Sequence, residues 1–236
     1  MDINSLLNGF VWYVAFVFST TLHEASHAFI GFKLGDRTAY EGGQVTLDPI
    51  PHMKREPFGM IVVPILSYVL GGWMIGWASA PYNYLWSINH PKSAAKMSLA
   101  GPLSNLIIVL IAGVFIRIGL GNETFISPET INFTHLVDAS EQDGVMSTIT
   151  LFINVFFSLN LLLFIFNLLP IPPLDGSGIV PLFISDDKSR QYLQFINNPV
   201  FSFAGLFIAW KIFDVIYDSI HLAVVNLLYF GIAHYG

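Results

Sequence analysis

His23-Glu24-Ala25-Ser26-His27 sits inside an apolar run, Leu6 to Leu34, that is long enough to cross a bilayer. That pairing of pattern and place constrains the chain more than any other feature. The run has no proline and only Gly9 and Gly31, so one helix is expected, ended by Gly35-Asp36. At about 1.5 Å per residue it exceeds the ~30 Å hydrocarbon thickness. On a helix, histidines at i and i+4 lie about 40° apart around the axis and about 6 Å apart along it. Both imidazoles can reach one metal ion, and the adjacent Glu24 can hold a water there. Ionisable groups at membrane depth are costly unless they are paired or functional. The plainer alternative is a polar helix face whose histidines hydrogen-bond neighbouring helices.

The rest of the chain is of the same kind. It is 54% hydrophobic and 11% charged, where soluble domains carry about 25% charged residues. The expected fold is an all-α membrane protein: a multi-pass helical bundle of about 4–6 transmembrane helices, with a small β-hairpin and a re-entrant segment. Residues 1–236 are read as one integral-membrane domain, because no polar stretch is long enough to build a separate core. The first run is read as a retained helix, since no small-residue cleavage pattern follows it. No basic, aromatic-interleaved surface suggests nucleic acid. With no cysteine, thiolate metal sites, disulfides and thiol nucleophiles are excluded.

Segment 36–57 is polar and turn-rich. Gly42-Gly43 precedes the alternating Gln44-Val45-Thr46-Leu47, which predicts a β-hairpin, and Pro49, Pro51 and Pro57 argue against a helix. Segment 58–80 is apolar but broken by Pro64, Gly71-Gly72 and Gly76. Residues 82–96 read as an amphipathic loop. A second span covers 97–120, opened by Ala100-Gly101-Pro102. An acidic loop, 121–144, carries Glu123, Glu129, Asp138, Glu141 and Asp143. A third span, 147–169, runs into Pro170-Ile171-Pro172-Pro173-Leu174-Asp175-Gly176. After a polar loop at 186–198, a last apolar region covers 199–231.

A catalytic zinc takes three protein ligands, so a third must come from outside the first helix. Glu24 points about 100° away from His23. Among the other carboxylates, Asp175 alone adjoins a long apolar run and is framed by turn residues. Irregular backbone at membrane depth is tolerated where it lines a cavity. The residues leave two readings of Asp175: a metal ligand, or a turn carboxylate at the membrane surface.

His23-Glu24-Ala25-Ser26-His27 together with Asn167-x-x-Pro-x-Pro-x-Leu-Asp175-Gly176 resembles the site-2 protease family of intramembrane zinc metalloproteases. Ala100-Gly101-Pro102-Leu103-Ser104-Asn105 resembles that family's A-G-P-x-x-N element. The stretch from Gly35-Asp36-Arg37 to Asp48-Pro49-Ile50-Pro51-His52 is similar to the compact bacterial branch without a regulatory domain. The resemblance implies one Zn2+ per chain held by His23, His27 and Asp175, with Glu24 as general base. It also implies that Asn105 and Asn167 are catalytic, hydrogen-bonding the substrate carbonyl or backbone; each asparagine also reads as a helix–helix hydrogen bond in lipid. The implied substrates are membrane proteins or signal-peptide-like segments in the lipid bilayer, and the hairpin is expected to pair with an unwound substrate strand. A metal transporter and a non-catalytic membrane scaffold are the alternative functions. The residues fix no oligomeric state.

The histidines lie near the C-terminal end of one span, and Asp175 follows the C-terminal end of another. For these to meet, both helices must run in the same direction, with an odd number of crossings between them. Segment 58–80 is therefore expected to be re-entrant. Lys33, Arg37, Lys54, Arg55, Lys92, Lys96, Lys188 and Arg190 then share one face. The positive-inside rule makes that face cytoplasmic, with the site opening toward it.

Overall fold

The computed structural model describes residues 3–141 and 144–236. These form α1 (Ile3–Lys33), α2 (Thr38–Glu41), α3 (Pro49–Arg55), a π-helical turn (Phe58–Val62) running into α4 (Val63–Gly71), α5 (Tyr84–Asn89) and α6 (Pro91–Gly121). Then come β1 (Phe125–Ile126), β2 (Asp138–Ala139), α7 (Gly144–Asn167), α8 (Asp175–Ile179) with a 3-10 turn (Val180–Phe183), α9 (Asp186–Ile196) and α10 (Pro199–Leu228). Asp143, grouped above with the acidic loop, lies outside the described residues.

Helices α1, α6, α7 and α10 are long and apolar enough to cross a bilayer, and the chain is a multi-pass membrane protein. Helix α6 packs against both α1 and α7, and α1 packs against α7. Contacts along α1 fix the directions. Ser19 is bonded through Asn160 of α7, His23 meets Asn105 of α6, and His27 meets Met97 of α6. Residue numbers on α6 fall as those on α1 rise, so these two helices are antiparallel. Asn105 of α6 bonds Asn160 of α7 and Gly113 faces Phe157, so α6 and α7 are antiparallel too, and α1 and α7, which share Trp12, Phe16, Val155 and Leu159 in one apolar cluster, run parallel. A second apolar cluster joins α6, α7 and α10 through Ile116, Phe157 and Phe213, and Phe125, Leu136 and Val137 from the 121–141 loop plug its end.

Between α1 and α6 the chain doubles back. The nine residues of α4 span only about 14 Å, and Gly72 turns the chain at φ +75°. The return is extended, and the Trp77 N–H donates to the Gly59 carbonyl at 3.1 Å. A Cβ on Gly59 would stand 2.2 Å from the Trp77 carbonyl oxygen, so this crossing needs a glycine.

Three sequence expectations are corrected. Residues 38–50 form no hairpin: α2 and α3 flank an irregular turn at Gly42–Leu47. Pro49 starts α3 instead of forbidding it, because a proline in the first turn has no intrahelical N–H to lose. Asp48 caps that helix by accepting from the Ile50 N–H at 2.9 Å. Among the described residues the β-ladder is in the acidic loop, with Phe125 opposite Ala139. The strand pairing with substrate expected of the 38–50 hairpin loses its basis. The second span starts at Pro91, with Pro102 inside it. The polar loop at 186–198 is mostly α9, whose first turn carries Asp186 and Asp187 where the helix dipole favours acids.

Candidate metal centre

His23 and His27 are buried on the face of α1 that meets α6. Their Nε2 atoms are 3.0 Å apart. Asp175 arrives from the other side. After α7 ends at Asn167, residues 168–174 turn sharply, and Asp175 opens α8. Gly176 permits this: a Cβ there would lie 2.3 Å from the Leu168 carbonyl oxygen and 2.4 Å from that of Leu169. Lys92 of α6 ties down the following turn by donating to the carbonyls of Pro181, at 2.6 Å, and Ile184, at 2.5 Å. Asp175 Oδ2 then stands 3.0 Å from His23 Nε2 and 3.3 Å from His27 Nε2.

The chemistry of these three atoms calls for a cation. His27 Nδ1 is 2.7 Å from the Met97 carbonyl oxygen, which can only accept, so Nδ1 carries the hydrogen and Nε2 presents a lone pair. His23 Nδ1 is likewise occupied, 2.6 Å from Asn105 Oδ1. With the rings neutral, two imidazole lone pairs and a carboxylate oxygen thus converge on one point. In a tetrahedral zinc site, ligand atoms about 2.0–2.1 Å from the ion lie about 3.3 Å from one another, which agrees with the 3.0–3.3 Å separations here. Gly101 of α6 leaves room for the ion: a Cβ at that position would fall 2.3 Å from His27 Nε2 and 2.5 Å from His23 Nε2. The donor set and the cradle fit zinc.

Glu24 is buried, only 8% exposed, beside His23 on α1. Asn105 is fully buried with both ends of its amide occupied, Oδ1 by His23 and Nδ2 by Asn160 Oδ1 at 2.8 Å. Asn167 is not drawn to the histidines; it donates to the Leu163 carbonyl one turn back at 3.0 Å. His52 is buried beside Thr46, and His135 pairs with Asp138. Sequence reasoning missed Ser19, Lys92 and Asn160. The signal for Asn160 was present, one of three asparagines spaced along an apolar helix, but its side-chain partners lie on two other helices.

A cavity of about 330 Å³ reaches Asp175 from between α6 and the 172–178 turn, walled by Tyr82, Met97, Leu193 and Asn197. The Tyr82 hydroxyl donates to Asn197 Oδ1 at 3.1 Å, which links the return segment to the end of α9.

The family model described as peptidase family M50 matches residues 11–212. The chain is 33% identical over 168 residues to the Bacillus subtilis protein named "Putative zinc metalloprotease YwhC", covering 71% of this chain and 66% of that one. It is 30% identical over 173 residues to Rip2 of Mycolicibacterium smegmatis, which bears the same description, covering 73% of this chain and 56% of that one. Rip2 of Mycobacterium tuberculosis is 28% identical over the same length. The matched region thus spans a little more than half of the Rip2 proteins and just under two thirds of YwhC. No solved structure matches. Since that family model matches most of the chain, residues 11–212, the chain belongs to peptidase family M50, the site-2 proteases.

Proposed function

We propose that this chain is an intramembrane zinc endopeptidase that cuts peptide bonds in or beside the transmembrane segments of membrane proteins or signal-peptide-like remnants. The observation that carries it is the convergence of two histidine nitrogens and a carboxylate oxygen over Gly101, with Glu24 buried on the same helix as the histidines. His23, His27 and Asp175 are the metal ligands. Zinc held there supplies a Lewis acid that acidifies a water and polarises a peptide carbonyl. Glu24 takes the water's proton on a carboxylate oxygen and returns it to the leaving nitrogen. Asn167 keeps one amide hydrogen free of the Leu163 carbonyl and serves as the donor to substrate. The cavity beside Asp175 admits a short unwound stretch of peptide.

His27 lies six residues before Lys33, the end of α1, so the centre is about 9 Å inside that end of the helix. Lys54 and Arg55 of α3 and Lys188 and Arg190 of α9 are the basic residues that, by the positive-inside rule, support a cytoplasmic opening of the site.

The test uses purified protein in detergent with a panel of single-span and signal-peptide-like substrates. Cleavage within or beside the apolar segment is expected, lost on chelation and restored by zinc. Cleavage that a chelator leaves untouched, or zinc flux into liposomes with every substrate intact, overturns the proposal.

A further inference from the structure

His23 and His27 present the same nitrogen to the metal position, but by different means. His27 is held directly by a backbone carbonyl, that of Met97. His23 is held by Asn105, an amide that can turn either its oxygen or its nitrogen toward the ring. If the nitrogen faced His23 Nδ1, the ring would carry its hydrogen on Nε2, aimed at the metal. Something must fix which way Asn105 points.

The answer lies in a buried chain of side chains. Asn105 Nδ2 is 2.8 Å from Asn160 Oδ1. Asn160 Nδ2 is 2.8 Å from Ser19 Oγ and 2.7 Å from the Phe156 carbonyl oxygen. Ser19 Oγ is 2.6 Å from the Ala15 carbonyl oxygen. Ser19, Asn105 and Asn160 are each 0% exposed, so no bulk solvent can substitute for a missing partner. The direction of every bond follows from the two backbone carbonyls, which can only accept. Ser19 must give its one hydrogen to Ala15, so its oxygen accepts from Asn160. Asn160 must then place its nitrogen toward Ser19 and Phe156, and its oxygen toward Asn105. Asn105 must place its nitrogen toward Asn160 and its oxygen toward His23. The imidazole is left with its hydrogen on Nδ1 and a lone pair on Nε2.

We propose that Asn160 and Ser19 are positioning residues for the metal centre: with Asn105 they form a polarity relay, grounded on the Ala15 and Phe156 carbonyls, that sets the tautomer of His23. The inference rests on the proposed role of His23 as a metal ligand. The relay joins three helices at one point, α1 through Ser19, α6 through Asn105 and α7 through Asn160. It acts on the metal without touching it. Partners of this kind are worth about 10–100-fold in metal affinity.

The test measures zinc affinity of the full chain in detergent by competition with a chromogenic chelator. Asn160→Leu removes the fixed acceptor for Asn105 and is expected to weaken zinc about 10–100-fold. Ser19→Ala, which leaves Phe156 to hold Asn160, is expected to weaken it less, and it takes the place of Asn160→Leu should that variant not fold. Asn105→Asp supplies the discriminating arm. Both oxygens of a carboxylate accept, so His23 keeps its hydrogen on Nδ1 whichever way residue 105 turns. In an Asn105→Asp background, Asn160→Leu is expected to cost less than about 3-fold, well below the range for an intact outer partner. A second readout is the nitrogen spectrum of 15N-histidine-labelled, metal-stripped protein: one Nδ1–H tautomer at His23 in the wild type, and a mixture in Asn160→Leu. Wild-type affinity in a folded Asn160→Leu variant overturns the relay, as does an equal loss in both backgrounds, which marks a packing role. His23→Ala separates the two proposals: retained zinc there refutes the ligand assignment itself, while lost zinc there with intact affinity in Asn160→Leu refutes only the relay.

Discussion

Gly101→Ala tests the metal centre with a single methyl group. The added carbon would stand 2.3 Å from His27 Nε2, 2.5 Å from His23 Nε2 and 2.6 Å from His27 Cε1. Ordinary carbon–nitrogen contact is about 3.5 Å, so α6 must recede by about 1 Å or both rings must turn. Either movement strains the bonds from His27 to Met97 and from His23 to Asn105. For stability the terms nearly offset: overpacking costs about 1–3 kcal/mol, and replacing glycine by alanine within a helix returns about 1 kcal/mol. For zinc they do not. Metal–ligand distances tolerate about 0.2 Å, and a closed zinc site is worth about 10–16 kcal/mol over four ligands. Loss of one good ligand is then about 3 kcal/mol, or about 100-fold in affinity. The expected outcome is a thermal midpoint within about 5 °C of the metal-stripped wild type, with zinc content after dialysis falling to near zero. Both are read on the same detergent-purified sample, by differential scanning fluorimetry and elemental analysis. Full zinc occupancy with wild-type affinity in Gly101→Ala would refute the cradle and place the ion elsewhere.

The other expectations concern the roles of named residues. Glu24→Gln is expected to abolish cleavage while holding stoichiometric zinc, because a base is not a ligand; zinc analysis showing loss of metal would contradict the assignment. Asp175→Ala removes the only ligand supplied from beyond α1 and is expected to lose both activity and most of the metal; tight zinc in that variant would mean another third ligand. The wild type has no cysteine, so single cysteines at Arg55, Asn89 and Glu129, all exposed, can map the faces with an impermeant thiol reagent. The first two should label only from the cytoplasmic side and the third only from outside. Labelling of positions 55 and 89 from opposite sides would refute the re-entrant arrangement of 58–80.

The parts of this structure that were legible in the sequence are those governed by a single period. The spacing of His23 and His27 survives any helix, and apolar length marks the runs that become α1, α6, α7 and α10, while setting 58–80 apart from them took its proline and glycine breaks and the need for the two ligand-bearing helices to run the same way. The failures came where one residue type obeys two rules. Pro49 was weighed as a helix breaker, although with Asp48 before it the pair is a cap followed by a first-turn proline. Four alternating residues, Gln44 to Leu47, imitated a strand; in the fold Gln44 is buried and bonds the Ser79 carbonyl across the return segment. Asn105 was visible as a polar residue in a motif, but its direction could not be read. Its neighbours are Asn160, 55 positions away, and His23, 82 positions away, and only the packing of three helices brings them together.

That packing also explains why polar side chains are tolerated here. Hydrogen bonds between helices in a bilayer are worth on average only about 0.6 kcal/mol, because a helix separated in lipid finds other partners. The three bonds between helices, His23–Asn105, Asn105–Asn160 and Asn160–Ser19, therefore add about 2 kcal/mol to the fold, an amount that well-packed apolar side chains of similar volume could match. Stability gives no reason to keep them. Their effect on zinc is of another order, since a ring in the wrong tautomer withdraws a ligand worth about 3 kcal/mol. Holding a metal at membrane depth, rather than firming the bundle, is the role that fits a fully buried asparagine at position 160, set between Leu159 and Leu161 where three helices meet.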